Sequence, residues 1–262
     1  MAALPSLFIS HGAPMVLVDG SAAQVFLKNV PARLTDAPVR GIVVLTAHWE
    51  SGMPCISAGE RPETIYDFYG FPDALYEVSY PAPGEPALAG EIAALLKREG
   101  IDAVLDGERG FDHGTWIPLA LMYPDADIPV VQLSVMPAKD PEFHFRLGAA
   151  LRPLRESGVL LIGSGSMTHN LSEYRHYMEG NQTPGWVDEF ADGVWRLLEV
   201  RDDETLFDYE RSLPHARRNH PSSDHFLPLF FALGAASPGK VPERIHRSTA
   251  YGVLRMDAVA FS

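Results

Sequence analysis

Cysteine is almost absent: Cys55 is the only one in 262 residues. A lone thiol excludes an internal disulfide framework, a zinc ribbon and a cysteine-held iron–sulfur cluster. Positive charge is scarce as well. Lys and Arg total 21 against 34 Asp and Glu, a formal charge of −13, and Lys28, Lys97, Lys139 and Lys240 are the only lysines. Phosphate backbones and anionic membrane surfaces need a basic face, so nucleic acid and membrane are not expected as partners. Long apolar runs are missing too; no window approaches the roughly 20 residues of a membrane helix. Met1-Ala2-Ala3-Leu4-Pro5 has neither the basic nor the apolar region of a signal peptide, so a cytoplasmic protein is expected.

The 46% hydrophobic content is enough for a sizeable core. No repeat, low-complexity tract or linker divides the chain, so residues 1–262 are expected to form a single domain. Apolar, strand-like runs at 7–10, 42–47, 129–135, 159–163 and 250–256 alternate with helical patterns. The helices are predicted at 86–99, 141–155, 183–198 and 222–236, with Pro153 disturbing the second and Pro228 tolerated near the start of the last. This is the α/β pattern: a central, mostly parallel sheet flanked by helices, with ligands bound at the strand carboxyl ends. Residues 51–84, rich in Pro, Gly and aromatics, are long for a loop and read as a lid or wall.

Three of the ten histidines stand at or just beyond strand-like runs. His11 follows Leu7-Phe8-Ile9-Ser10, His48 ends Ile42 to Ala47, and His169 follows Val159 to Gly163 through Ser164-Gly165-Ser166-Met167-Thr168. Delivered to one crevice, such imidazoles would suit a transition metal; taken singly, a histidine at a strand end is more often a hydrogen-bonded structural residue. His113 precedes a helix, and His220 and His225 bracket Pro221-Ser222-Ser223-Asp224. His144, His176, His215 and His246 have polar neighbours and read as surface residues. The turn 163–170 lacks the Walker lysine and the GxGxxG spacing of nucleotide sites, but its Gly and Ser content suggests mobility.

Five motifs then occur in order: Ser10-His11-Gly12-Ala13-Pro14-Met15, Thr46-Ala47-His48-Trp49, Asp112-His113-Gly114-Thr115-Trp116, Gly163 to Leu171, and His220 to Leu229. Together they resemble the 4,5-DOPA extradiol dioxygenases, a family of class III, LigB-like ring-cleavage enzymes. The likeness runs from residue 7 to about residue 256. It implies that His11, His48 and His225 ligate a metal. His169 would be the catalytic acid/base histidine, near enough to bind the metal at rest. His113 would be a catalytic-pocket residue, and His220 a substrate-pocket or supporting residue. The usual non-haem iron triad has two histidines and a carboxylate; this branch uses histidine at the third place, favouring His225 over Asp224.

The implied reaction is O₂-dependent opening of a catechol, DOPA-like, beside its two hydroxyls, through a lactone to a muconic semialdehyde. The small-molecule partners are then a catechol and O₂, and a homo-oligomer is compatible with the sequence. Fe(II) is the expected working metal, with Zn(II) an alternative occupant of an all-histidine site in the isolated protein. Aromatics at 66–80 could stack on the ring, and Arg217 and Arg218 could meet a substrate carboxylate. Two other readings stay open: a zinc hydrolase on the same histidines, and a non-catalytic binding protein of the same superfamily.

Overall fold

Strand β2 (Gly41–Glu50), after β1 (Ser6–Ser10), shows why this chain builds a sheet covered on both sides. Its first seven residues are all buried. Val43 and Leu45 join one apolar cluster, and Ile42 and Val44 the other. Alternate side chains point to opposite faces, so a continuous apolar run must be covered twice. A computed structural model describes residues 3–34, 38–177 and 182–262. Met1 and Ala2, at the head of the segment assessed for a leader, lie outside them.

The later strands are β3 (Cys55–Ser57), β4 (Val104–Asp106), β5 (Val130–Val135), β6 (Val159–Gly165), β7 (Glu243–His246), β8 (Thr249–Ala250), β9 (Leu254–Arg255) and β10 (Ala258–Phe261). The main sheet runs β4-β3-β5-β2-β6-β1-β10-β7. Its centre, β5-β2-β6-β1, is parallel, whereas β10 runs antiparallel to β1 and β7.

Helices α1 (Ala22–Asn29), α2 (Pro86–Arg98), α3 (His113–Met122), α4 (Pro141–Leu151), α5 (Leu171–Tyr177), α6 (Gly185–Val200), α7 (Asp203–Phe207), α8 (Tyr209–Ser212), α9 (Ala216–Asn219) and α10 (Leu227–Gly234) complete the chain. Apolar residues of α2, α4, α6 and α10 pack on one face of the sheet. On the other, α1 and α3 are joined by Tyr80, Tyr66 and Phe68 of the long aromatic stretch. No described helix is long and apolar enough to cross a membrane.

Three predicted elements differ. The 250–256 strand is instead the hairpin β8-β9, because Tyr251 and Gly252 take positive φ and turn the chain; β10 supplies the sheet strand. The 141–155 helix ends at Leu151 and tightens into a 3₁₀ segment, Arg152–Ser157, with Pro153 in its first turn. The 222–236 helix begins only at Leu227, so Asp224 and His225 lie in the turn before it.

His144 is buried rather than on the surface. It accepts the Met136 N–H (3.2 Å) at Nε2 and donates from Nδ1 to the Asp140 carbonyl (3.0 Å). Burial lowers its pKa to about 4, outweighing the contacts with Asp140. The unfolded chain therefore takes up this proton near pH 6.5 and the folded chain only near pH 4. Stability should fall with pH across that window, by on the order of 3 kcal/mol from this group. Urea unfolding between pH 7 and 4.5 should show a shallower loss for His144→Leu than for wild type. His246 is also half-buried, stacked on Phe26 at 4.5 Å.

Candidate metal centre

His11 and His48 leave strands that are not neighbours, since β6 lies between β1 and β2. Strands stand about 4.8 Å apart, so the two rings must lean together over the end of β6. That end is made of small residues, Gly163-Ser164-Gly165. A Cβ at Gly163 would stand 2.0 Å from the Pro228 carbonyl oxygen, and one at Gly165 2.1 Å from that of His225. The glycines therefore let the turn carrying His225 lie directly on β6, where the Ser166 N–H donates to the His225 carbonyl at 2.8 Å. Gly165→Ala should cost about 1–3 kcal/mol, as overpacking does, and weaken metal binding by displacing His225. A melt and a metal titration on the same protein check both effects.

The segment leading to His169 is consequently pinned, not mobile. Met167 N–H donates to Ser10 Oγ (3.0 Å), Thr168 Oγ1 donates to the Val253 carbonyl (2.7 Å), and the His169 N–H donates to the Asn219 carbonyl (3.0 Å). The Gly and Ser content reflects close packing.

Five histidines gather at this point: His11, His48, His113, His169 and His225. The ring centroids of His11, His48 and His225 form a near-regular triangle of 4.9, 4.8 and 5.3 Å. Imidazoles bound through Nε2 at about 2.1 Å, at right-angled to tetrahedral geometry, place their centroids about 4.6–5.3 Å apart. Nε2 of His48 lies 3.0 Å from Nε2 of His11 and 3.2 Å from Nε2 of His225. A second grouping, His11, His48 and His113, brings one nitrogen from each within 4.8 Å of the others. Its centroids, however, stand 3.9 Å (His48–His113) and 5.5 Å (His11–His113) apart, a poorer match to one shared ion.

The other nitrogen of each ring is spoken for. Ser164 Oγ donates to the Gly114 carbonyl, so at 3.0 Å it accepts from Nδ1–H of His11. Nδ1 of His225 donates to the carboxylate of Asp224. Nδ1 of His48 faces Asp67 Oδ2 at 3.5 Å. With protons on Nδ1, three Nε2 lone pairs converge, which is unfavourable unless an electrophile sits among them. These donors fit a metal ion, and carboxylate or hydroxyl partners on the outer nitrogen are the usual support for such ligands.

Burial chiefly, helped by neighbouring imidazoles, lowers His11 and His225 well below 6.5. His48 falls to about 3 for the same leading reason, with Asp67 and Asp224 opposing. Neutral imidazole is the ligating form.

His169 lies face to face with His225, 3.5 Å away and 6° from parallel. Burial lowers it to about 4 against the pull of Asp224. His113, the first residue of α3, meets Phe68 edge-on at 5.8 Å. His220 is buried against Phe226 and Phe190, with Nε2 donating to the Met167 carbonyl at 3.0 Å. It therefore buttresses the segment that carries His169. Arg217 and Arg218 are already paired with carboxylates of the chain, Glu210 at 3.4 Å and Glu173 at 2.7 Å.

Asp67 went unmarked in the sequence, and Asp112 stood there only as the neighbour of His113 in its motif. Asp112 is buried, accepting from Thr46 Oγ1 (2.7 Å) and Arg109 Nη2 (3.0 Å); the same guanidinium nitrogen reaches the His48 carbonyl at 3.2 Å. Asp67, within the aromatic stretch, approaches both His48 and His113. Burial raises its pKa, but hydrogen bonding and charge from His113, then His48, prevail and hold it at about 2. No local spacing signals Asp67, which is brought in from a separate segment, and nothing local shows what the Asp112 side chain does beside His113.

The chain matches the family described as the catalytic LigB subunit of aromatic ring-opening dioxygenase across residues 5–258. It is 40% identical over 260 residues to 4,5-DOPA dioxygenase extradiol of Portulaca grandiflora, covering 98% of this chain and 95% of that one. The protein of that name from Escherichia coli (strain K12) is 40% identical over 236 residues, 88% of this chain and 85% of its own. A crystal structure of an uncharacterized E. coli K12 protein superposes with a TM-score of 0.79 at 34% identity, covering 99% of this chain and all (100%) of that one. Sequence, fold and the histidine centre at the strand ends agree: the chain belongs to the LigB family of aromatic ring-opening dioxygenases, within its 4,5-DOPA extradiol group.

Proposed function

We propose that this protein is an extradiol dioxygenase that opens a DOPA-like catechol with O₂, using Fe(II) held by His11, His48 and His225. The observation that carries the reading is that Nε2 of His48 lies 3.0 Å from Nε2 of His11 and 3.2 Å from Nε2 of His225, while Nδ1 of His11 and of His225 is already hydrogen-bonded to Ser164 and Asp224. Three protein ligands leave open positions for a chelating substrate and O₂. Iron there would supply the electron exchange that lets O₂ react with a closed-shell catechol.

The chain's own residues handle the protons. His169, neutral at pH 7, accepts a catechol proton and returns it when the O–O bond breaks. Its folded value near 4 is lower than an unperturbed imidazole offers, and a bound catecholate, being anionic, raises it. His113 and the edge of Phe68 flank the ring, and His220 supports the His169 segment. Both oxygen atoms of O₂ end in the product, a muconic semialdehyde bearing one new carboxylate and one aldehyde.

An all-histidine set also holds Zn(II) well, so the isolated protein is expected to carry either metal. The test is anaerobic loading with Fe(II) or Zn(II), followed by a panel of catechols. The Fe(II) form should consume O₂ and give a yellow product, and the Zn(II) form should not. Turnover by the Zn(II) form without O₂ would replace this reading with a zinc hydrolase. Catechol binding with no turnover under either metal would leave a binding protein.

A further inference from the structure

Asp67 lies outside every motif that carries the family resemblance, yet its carboxylate serves two of the gathered histidines at once. Oδ1 accepts the backbone N–H of His113 at 2.9 Å, at the N-terminus of α3. Oδ2 lies 3.0 Å from Nδ1 of His113 and 3.5 Å from Nδ1 of His48. The approach to His113 Nδ1 is at ion-pair distance without the alignment of a full hydrogen bond. One side chain on the aromatic stretch thus ties together a helix start, a strand-end histidine and a pocket histidine.

We infer that Asp67 is a positioning residue of the metal centre, whose carboxylate holds His48 and His113 together in the Nδ1–H form so that each keeps a lone pair on Nε2. The inference rests on His48 being a ligand, as proposed above. An ionised carboxylate only accepts hydrogen bonds, so it favours the form in which both nitrogens facing it carry their protons. The Nε2 of His48, 3.0 Å from that of His11, is then the ligating atom. Orientation of a ligating imidazole through its outer nitrogen is commonly worth 10–100-fold in metal affinity.

Asp67→Asn separates this role from simple anchoring. The amide is nearly the same size but has one accepting oxygen and one donating nitrogen. If the oxygen keeps the His113 N–H, the NH₂ group faces both Nδ1–H groups; if the amide flips, NH₂ faces the backbone N–H. Either way donor meets donor: the first arrangement is relieved at the imidazoles only by moving a proton to Nε2, which removes the ligating lone pair, and the second gives up the acceptor at the start of α3. A residue that merely capped α3 would tolerate Asn, which caps as well as Asp, and would suffer more from Ala.

The measurement is titration of metal-free wild type, Asp67→Asn and Asp67→Ala with Co(II), read by its visible spectrum, with melting of each metal-free protein alongside. Asp67→Asn should bind Co(II) about 10–100-fold more weakly than wild type, at least as weakly as Asp67→Ala, with an altered Co(II) spectrum. Asn equal to wild type, or Ala far worse than Asn, would make Asp67 a structural anchor and overturn the inference. So would an Asn protein that melts lower while the Ala protein binds Co(II) like wild type. Failure of wild type itself to bind Co(II) would instead remove the metal reading on which the inference stands.

Discussion

His11→Ala, His48→Ala and His225→Ala should each give a folded chain that holds almost no metal and opens no catechol. Each removes one of three converging Nε2 atoms while leaving the sheet untouched, because all three side chains lie beyond or at the ends of the strands that carry the core. Loss of an inner ligand should weaken binding by at least about 100-fold, the upper end of what losing a mere outer partner costs. Asp224→Ala removes only the acceptor for Nδ1 of His225 and should retain more metal. His113→Ala should also retain the ion, because its ring stands too close to His48 to share one ion with it. Metal analysis after dialysis, with circular dichroism as the folding control, distinguishes these outcomes. If His113→Ala loses the ion and His225→Ala keeps it, the second histidine grouping is the site. If Asp224→Ala loses it and His225→Ala does not, the third ligand is a carboxylate.

His169→Ala or His169→Gln should keep the metal and lose about 10²–10⁴-fold in ring opening, the usual worth of a positioned proton-transfer group. The expectation follows from its place: stacked on His225, partly buried, and held through its backbone by Asn219. Its neighbours fix its position, so truncation opens a hole beside the ligands without freeing the segment. Metal content, catechol binding and O₂ uptake belong on one preparation. Full activity in His169→Ala would remove the acid/base role. Loss of the ion would move His169 among the ligands.

The separate contributions of sequence and structure are plain from particular residues. His11 and His48 could be placed at strand ends because buried parallel strands are continuous apolar runs, and their carboxyl ends are where α/β sheets bind ligands. His225 was marked only by the resemblance, since its position depends on Gly163 and Gly165 admitting a distant turn, a tertiary contact with no local pattern. The same contact misled the sequence in another way: glycine needed for close approach looks like glycine needed for mobility. Asp67 was invisible for a related reason, and Asp112 stood in the His113 motif without its role showing. An outer partner needs only an acceptor at one point in space, and any segment can supply it. His144 read as surface from the charged residues near it, Asp140, Glu142 and Arg146, although Phe143 and Phe145 flank it and α4 turns it inward.

The central claim, that this histidine centre puts O₂ into a catechol ring, is tested most directly by turnover of the Fe(II)-loaded protein with catechol under ¹⁸O₂, followed by mass spectrometry of the product. The account predicts one O₂ consumed per catechol opened and ¹⁸O in the new carboxylate, with the aldehyde oxygen read before it exchanges with water. A ring-opened or cleaved product whose new oxygen comes entirely from water, formed equally well without O₂, would contradict it.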